Sequence, residues 1–200
     1  MRIFVALGCA LMLSSCALLG GGKKPSASTQ FSPVIPVVVS PLGAPSSRQL
    51  IVDVTYTQPA LNNVRIAVRP TGHELEVYKN VRWAHTPAEM LTTHLLENFE
   101  RMNAFRAVAR PGAGLAPDLR LGLEIRQFES VYSAGGVPSA VITVVARLVD
   151  SGAEREMRSQ EFTTSVPSVG VDVPSVVDAF ATAMSRLDAD IASWTVSSAR

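Results

Sequence analysis

The sequence predicts one α+β domain in which two helices pack on an antiparallel sheet. Three observations support this class: stretches of alternating apolar residues, two stretches of helical periodicity, and the order strands, helix, strands, helix along the chain. With 200 residues, 47% hydrophobic and 18% charged, the chain has the size and composition of a single globular domain.

The first predicted strands lie between residues 49 and 77. The run Gln49–Tyr56 is rich in β-branched and aromatic residues. Apolar side chains recur at every second position from Val64 to Val68 and from Leu75 to Val77, and Thr71–Gly72 lies between them as a turn. The last two segments are therefore predicted to form a β-hairpin.

A strong helix start follows at Thr86. Thr86 can cap the free backbone N–H groups, Pro87 suits the first helical position, and Glu89 completes a capping box. The apolar residues that follow at helical spacing are Leu91, Leu95, Phe99 and Met102.

Three longer strands and a closing helix make up the rest of the chain. The strands are predicted at Leu119–Ile125, Ala140–Leu148 and Arg158–Val166, separated by turns rich in Gly and Ser. The helix is predicted at Ser175–Trp194, where one continuous apolar stripe indicates packing across a sheet. The stripe consists of Val177, Phe180, Met184, Leu187, Ile191 and Trp194.

The first residues have the form of a secretory signal. Arg2 is followed by the apolar stretch Ile3–Leu13, which is too short to span a bilayer. The segment Leu13–Cys16 resembles the lipobox of bacterial lipoproteins, which implies a signal peptide of residues 1–15, cleavage before Cys16 and acylation at Cys16. The alternative is an ordinary signal peptide that happens to contain a cysteine.

Residues 16–47 are interpreted as a lipidated anchor and a linker rich in Pro, Gly and Ser, with the folded domain spanning residues 48–200. The apolar run Pro36–Val39 is unusual for a linker and fits either an edge strand of the domain or a partner contact. Cys9 and Cys16 are the only cysteines, so the chain beyond the predicted cleavage site cannot form an internal disulfide.

Charge and motifs exclude several function classes. After removal of residues 1–15 the chain has equal numbers of acidic and basic residues, which argues against nucleic acid or anionic lipid as the main partner but allows a local basic patch. No nucleophile elbow, P-loop or dinucleotide-binding glycine motif is present. His73, His85 and His94 lack metal-ligand spacing, so no metal or other cofactor is predicted.

The carboxylate pairs also favour a non-enzymatic protein. Glu97 and Glu100, like Asp188 and Asp190, fall on the predicted polar faces of the helices, where solvation is the simplest explanation.

Tyr78, Trp83 and Trp194 are the large amphipathic side chains. Such residues are common at binding surfaces, although they also fill cores near helix ends. We expect Tyr78, Trp83 and His85 to form a partner-binding surface, because the loop between the hairpin and the first helix would expose aromatic and polar groups together.

Between residues 64 and 110 the sequence resembles the ABC-type transport auxiliary lipoproteins. The matching phrases, in order, are Arg65–Pro70, Tyr78, Arg82–Ala84, Pro87 and Phe105–Val108. The similarity continues through the strand that ends at Phe128–Glu129 and the closing helix Phe180–Trp194, and it covers about residues 48–194.

The resemblance implies a non-enzymatic component of a lipid transport system. Its partners would be an MCE (mammalian cell entry) substrate-binding protein and, through it, an ABC permease and ATPase. Ala17 after Cys16 favours the outer membrane by the usual sorting rule, with the domain facing the periplasm. Two departures concern partner contacts: His85 stands where many relatives carry an acid, and Phe31–Val39 replaces a tyrosine-rich phrase.

A second hypothesis stays open. A different envelope lipoprotein with a similar α+β domain would serve outer-membrane assembly or secretion as a structural plug or pore subunit. A lipid-anchored hydrolase has no support from individual residues. The sequence leaves open the cargo and the formation of a homo-oligomer.

Overall fold

The computed structural model describes residues 28–36, 45–114, 116–133 and 136–200, which form an eight-stranded sheet and two helices. The α+β class and the two helices are thus confirmed. The helices are α1 (Pro87–Arg101) and α2 (Val173–Ser198). The strands are β1 (Thr29–Phe31), β2 (Ser46–Thr57), β3 (Arg65–Arg69), β4 (Glu76–Trp83), β5 (Phe105–Ala109), β6 (Leu119–Tyr132), β7 (Pro138–Asp150) and β8 (Arg155–Pro167).

The sheet is mixed, although the sequence pattern predicted an antiparallel one. The pairs β3–β4, β6–β7 and β7–β8 are antiparallel, whereas β2 runs parallel to both β5 and β6. Strand β6 has β7 along one edge, and β2 and β3 end to end along the other. Alternation along a strand reports which face is buried but does not report the direction of the neighbouring strand, so this part of the topology was missed.

Both helices pack on the sheet and against each other. Helix α1 contacts β2 and β5, while α2 contacts β7 and β8. The predicted capping box is confirmed: the Glu89 backbone N–H donates to Thr86 Oγ1 (3.3 Å), and the Thr86 backbone N–H donates to Glu89 Oε2 (2.8 Å). Helix α2 begins two residues earlier than predicted, because Asp172 caps its start by accepting a 3.0 Å hydrogen bond from the Ser175 N–H, and it ends at Ser198, beyond the predicted Trp194.

Charged side chains on the strands are arranged in ion pairs. Arg126 on β6 contacts Glu161 on β8 at 2.6 Å, with β7 between these two strands. Arg147 on β7 contacts Glu124 on β6 at 2.8 Å. These residues occupy the polar positions that alternate with the buried apolar ones, so they cover the face of the strands that does not form the core.

Part of the predicted linker lies on the domain. Strand β1 pairs with the end of β4, and Ile35 is buried in the hydrophobic core. The Ser185 hydroxyl on α2 donates a 2.7 Å hydrogen bond to the carbonyl oxygen of Pro36. Of the run Pro36–Val39, only Pro36 is among the described residues, and it lies against α2; the signal peptide and Cys16 also lie outside them.

Candidate functional site

Trp83, at the end of β4, is a core residue. Its side chain is only 1% exposed, and its ring packs edge to face against Phe180 (centroids 5.2 Å apart) and Phe128 (6.1 Å). The Trp83 backbone N–H still donates to the carbonyl oxygen of Val64, which keeps this residue within the hairpin and its side chain on the core face. The expectation that Trp83 is exposed for a partner is therefore wrong.

Trp194 also serves packing. It is partly buried on α2, and its ring meets that of Phe162 edge to face with centroids 5.7 Å apart. Both tryptophans thus follow the core-filling alternative for amphipathic side chains near the ends of secondary-structure elements.

Tyr78 is half-buried on β4 and is held by β6. Its hydroxyl lies 3.0 Å from Ser130 Oγ, within hydrogen-bond distance. Burial raises the pKa of Tyr78 to about 12, so the phenol stays protonated at neutral pH. One side of Tyr78 lines a cleft of about 480 Å³ bounded by β3, β4 and the residue that precedes β1.

His85 is exposed and lines a separate cavity of about 610 Å³. One wall of this cavity is Ser32–Pro33, the segment that follows β1, and the other wall is the first two turns of α1 with Arg110 beyond β5. The cavity residues are Ser32, Pro33, His85, Glu89, Met90, Thr93, His94 and Arg110. Since Tyr78 lines the other cleft and Trp83 lies in the core, the three predicted residues do not form one surface.

The polar groups of the His85 cavity differ in how firmly they are held. Glu89 accepts hydrogen bonds from Thr86, which lowers the pKa of its carboxyl group. Arg110 Nη2 donates a 2.7 Å hydrogen bond to Thr93 Oγ1. Burial lowers the pKa of His94, and its Nδ1 makes no hydrogen bond within the described part of the chain. The cavity thus combines a fixed carboxylate, a fixed guanidinium and two imidazoles.

Asp188 on α2 is fully buried, in contrast to the solvated position expected for it. Neither carboxyl oxygen has a hydrogen-bond partner in the described residues, and burial raises the pKa of Asp188 well above its usual value. Small buried residues at helical spacing from it, Ala181, Ser185 and Ala192, indicate that α2 has a second packed face. This small-residue stripe was the sequence signal that would have placed Asp188 inside.

The described residues contain neither a metal-ligating cluster nor a helix suited to crossing a membrane. Among the described residues, no group of three His, Cys, Asp or Glu side chains is arranged to hold a metal ion. Neither α1 nor α2 in the part of the chain described here is long and apolar enough to cross a membrane.

Comparison with known proteins identifies the family. Residues 30–192 match the family of ABC-type transport auxiliary lipoprotein components. The chain is similar to a crystal structure of a Xanthomonas campestris protein of the DUF330 family, with 31% identity, coverage of 86% of this chain and 97% of that one, and a TM-score of 0.82. A second crystal structure, of an uncharacterized protein, shares the fold at 15% identity, with 84% and 98% of the chains covered and a TM-score of 0.65. No curated protein matches the chain.

The chain therefore belongs to the ABC-type transport auxiliary lipoprotein family, as the ordered phrases between residues 64 and 110 indicated. The match begins at residue 30, so it includes most of β1 and the segment that forms one wall of the His85 cavity.

Proposed function

We propose that this protein is a non-enzymatic, outer-membrane lipoprotein that docks an MCE-type ABC transport system moving lipids across the cell envelope. The observation that carries the proposal is the family match over residues 30–192. The outer-membrane location is supported by Ala17, which directly follows the predicted acylation site Cys16. The partners are an MCE substrate-binding protein and, through it, the permease and the ATPase.

The docking surface in this proposal is the His85 cavity. It lies where β4 turns into α1, and its walls come both from the domain and from the Ser32–Pro33 segment that leads back to the anchor. Apolar Pro33 and Met90 stand beside the charged Arg110, a mixture that is common at protein interfaces.

Trp83 stabilises this surface from the core side. Its buried ring fixes the end of β4 against Phe128 and Phe180, and His85 follows two residues later at the rim of the cavity. A weak contact is sufficient for docking because the anchor keeps the domain at one membrane and thereby raises its effective concentration for a nearby partner.

Site-specific crosslinking tests the proposal in the full-length lipoprotein. A photoreactive residue is placed at position 85, 110 or 78, and a matched control at Arg158, which is exposed on β8 at the opposite edge of the sheet. We expect positions 85 and 110 to capture the MCE protein encoded for the same transporter, and position 158 to capture none. Capture of the MCE protein from position 78 would show that the cleft of about 480 Å³ beside Tyr78 contacts the same partner.

Two results would overturn the proposal. Crosslinks only to outer-membrane assembly or secretion proteins would favour a structural subunit of those systems instead. Equal capture of the MCE protein from positions 85 and 158 would show that the contact is not confined to the His85 cavity.

A further inference from the structure

Three cationic side chains share the cleft beside Tyr78. Arg65 on β3, together with Lys79 and Arg82 on β4, lines this cleft of about 480 Å³. All three are exposed, and none of their side chains forms an ion pair or hydrogen bond with another described residue. The lining that the structure describes contains no acidic residue. The neutral overall charge of the chain is compatible with a local basic patch, and this cleft, named here the basic cleft, is such a patch.

The pairing of β3 with β4 brings these charges together, and their repulsion costs electrostatic free energy. Arg65 lies directly opposite Arg82 in the antiparallel pair, and like charges in that position repel each other. The register is irregular just beyond them, because the short segment Arg65–Ala67 pairs with the longer segment Val77–Arg82. Asn80, within the longer segment, has a left-handed φ of 59°. Such bulges redirect side chains, and this one adds Lys79 to the two arginines. A bound anion would relieve the repulsion.

Three other arginines on the sheet are held in ion pairs, unlike those in the basic cleft. Arg69 contacts Glu129 at 2.9 Å, Arg126 contacts Glu161 at 2.6 Å, and Arg147 contacts Glu124 at 2.8 Å. Internal ion pairs therefore neutralise these guanidinium groups, whereas the three cations of the basic cleft are left for a ligand from outside the described chain.

The basic cleft also lies at the end of the domain nearest to the predicted anchor. Ser28, which precedes β1, forms part of its lining. The eleven residues from Ala17 to Ala27 separate it from the predicted acylation site, Cys16, and include Lys23 and Lys24. Their span is about 40 Å at full extension and about 20 Å as a coil. The anchor therefore confines the basic cleft to the vicinity of the bilayer surface.

We propose that the basic cleft binds the phosphate groups of anionic phospholipids in the membrane that carries the anchor. Two guanidinium groups suit phosphate because each offers a planar pair of N–H donors. Binding at this edge would orient the sheet relative to the bilayer, and the His85 cavity shares none of its lining residues with the basic cleft. The inference depends on the predicted anchor but does not depend on the transport partner.

Vesicle flotation tests the inference with the acyl-free chain, residues 17–200. We compare neutral phosphatidylcholine vesicles with vesicles that also contain phosphatidylglycerol. The wild type should partition onto the anionic vesicles, and added salt should weaken this binding. The triple substitution Arg65→Gln, Lys79→Gln, Arg82→Gln should reduce the partition coefficient on the order of 100-fold, at about fivefold for each cationic side chain.

The control is a triple substitution with the same charge change, Arg120→Gln, Arg155→Gln, Arg158→Gln, at exposed positions on β6 and β8. It should leave the partition coefficient within about threefold of wild type, since these sites lie away from the bilayer-facing edge. Circular dichroism checks that both variants are folded, and Lys79→Gln alone provides a milder test with a loss of about fivefold.

The proposal is overturned if the wild type binds neutral and anionic vesicles equally, or if the two triple variants lose binding equally. It is also overturned if the cleft variant keeps vesicle binding but loses crosslinks to an acidic protein, because the occupant would then be a protein. No MCE protein is present in the vesicle assay, so a negative result here leaves the docking proposal untouched.

Discussion

The hydroxyl group of Ser185 on α2 donates a 2.7 Å hydrogen bond to the carbonyl oxygen of Pro36, 149 residues earlier in the chain. Together with the burial of Ile35 in the core, this bond ties the segment after β1 to the closing helix. The segment is therefore part of the packed domain and forms a fixed wall of the His85 cavity.

Replacing Ser185 with Ala should loosen that wall. We expect a loss of about 1 kcal/mol in the free energy of unfolding, because one side chain-to-backbone hydrogen bond is removed. Ser197→Ala is the matched control, since the Ser197 hydroxyl is exposed and bonds only to Trp194 within the same helix. Urea denaturation measures both variants, and an equal effect of the two would contradict the assigned role of Ser185.

The buried Asp188 predicts an unusual pH dependence. Because its pKa is raised in the folded protein, folding favours the protonated carboxyl group. Its contribution to stability is therefore complete below about pH 4, the usual carboxyl pKa, and is lost as the pH rises towards the raised folded value.

Asp188→Asn removes this titration while keeping the shape of the side chain. The stability of the variant relative to wild type should rise as the pH increases from about 4 towards neutrality. Thermal unfolding at a series of pH values measures this difference, with the exposed Asp190→Asn as control. A difference between Asp188→Asn and wild type that is constant at every pH would contradict the prediction.

The capping box of α1 should contribute measurably to stability. Thr86→Ala removes the acceptor for the Glu89 N–H and should cost about 1 kcal/mol, while Thr86→Ser should retain most of the stability. Denaturant unfolding would show the contrast, and identical midpoints for the two variants would contradict it. Because Thr86 follows His85 directly, this cap also fixes the rim of the His85 cavity.

Phe180 is the centre of the aromatic core. Its ring stacks on Phe128 with centroids 4.9 Å apart and meets Trp83 edge to face. Phe180→Ala should therefore lower the free energy of unfolding by about 3–5 kcal/mol. Arg186→Ala, at an exposed position of the same helix, should change it by less than about 0.5 kcal/mol. Equal melting temperatures for the two variants would refute this arrangement.

Cys16→Ser tests the predicted anchor. The variant should take up no labelled palmitate and should leave the membrane fraction, because the thioether-linked lipid cannot form on serine. Fractionation and metabolic labelling measure both properties. Continued labelling and membrane retention would show that the Leu13–Cys16 motif is not the acylation site.

The elements that the sequence predicted well are those with a local signal. The capping box at Thr86 involves residues three positions apart, and the hairpin β3–β4 follows from alternation around one turn, although β4 continues to Trp83, beyond the predicted Val77 and into the expected loop. The parallel pairing of β2 with β6 joins Leu50 to Leu119, and no local pattern specifies a partner at that distance.

The candidate site was predicted less completely. His85 follows a strand end and is exposed as expected, but Trp83 occupies an inward position on β4 that alternation alone did not distinguish from an exposed one. Arg110 joins the His85 cavity through the tertiary packing of β5 beside β2, which no local pattern specifies. Asp188 is buried because α2 packs on a second face in addition to its apolar stripe.

The position of β2 has a consequence for how the chain folds. Its partners β5 and β6 follow 59 and 69 residues later in register, with Ser46 opposite Phe105 and Leu50 opposite Leu119. Such non-local pairing requires closing long loops before any contact is gained, and it slows folding. A chain that emerges from its N-terminus therefore keeps its first long strand without either partner until Phe105, just past the middle of the sequence, has emerged, and throughout that interval the strand is accessible to chaperones.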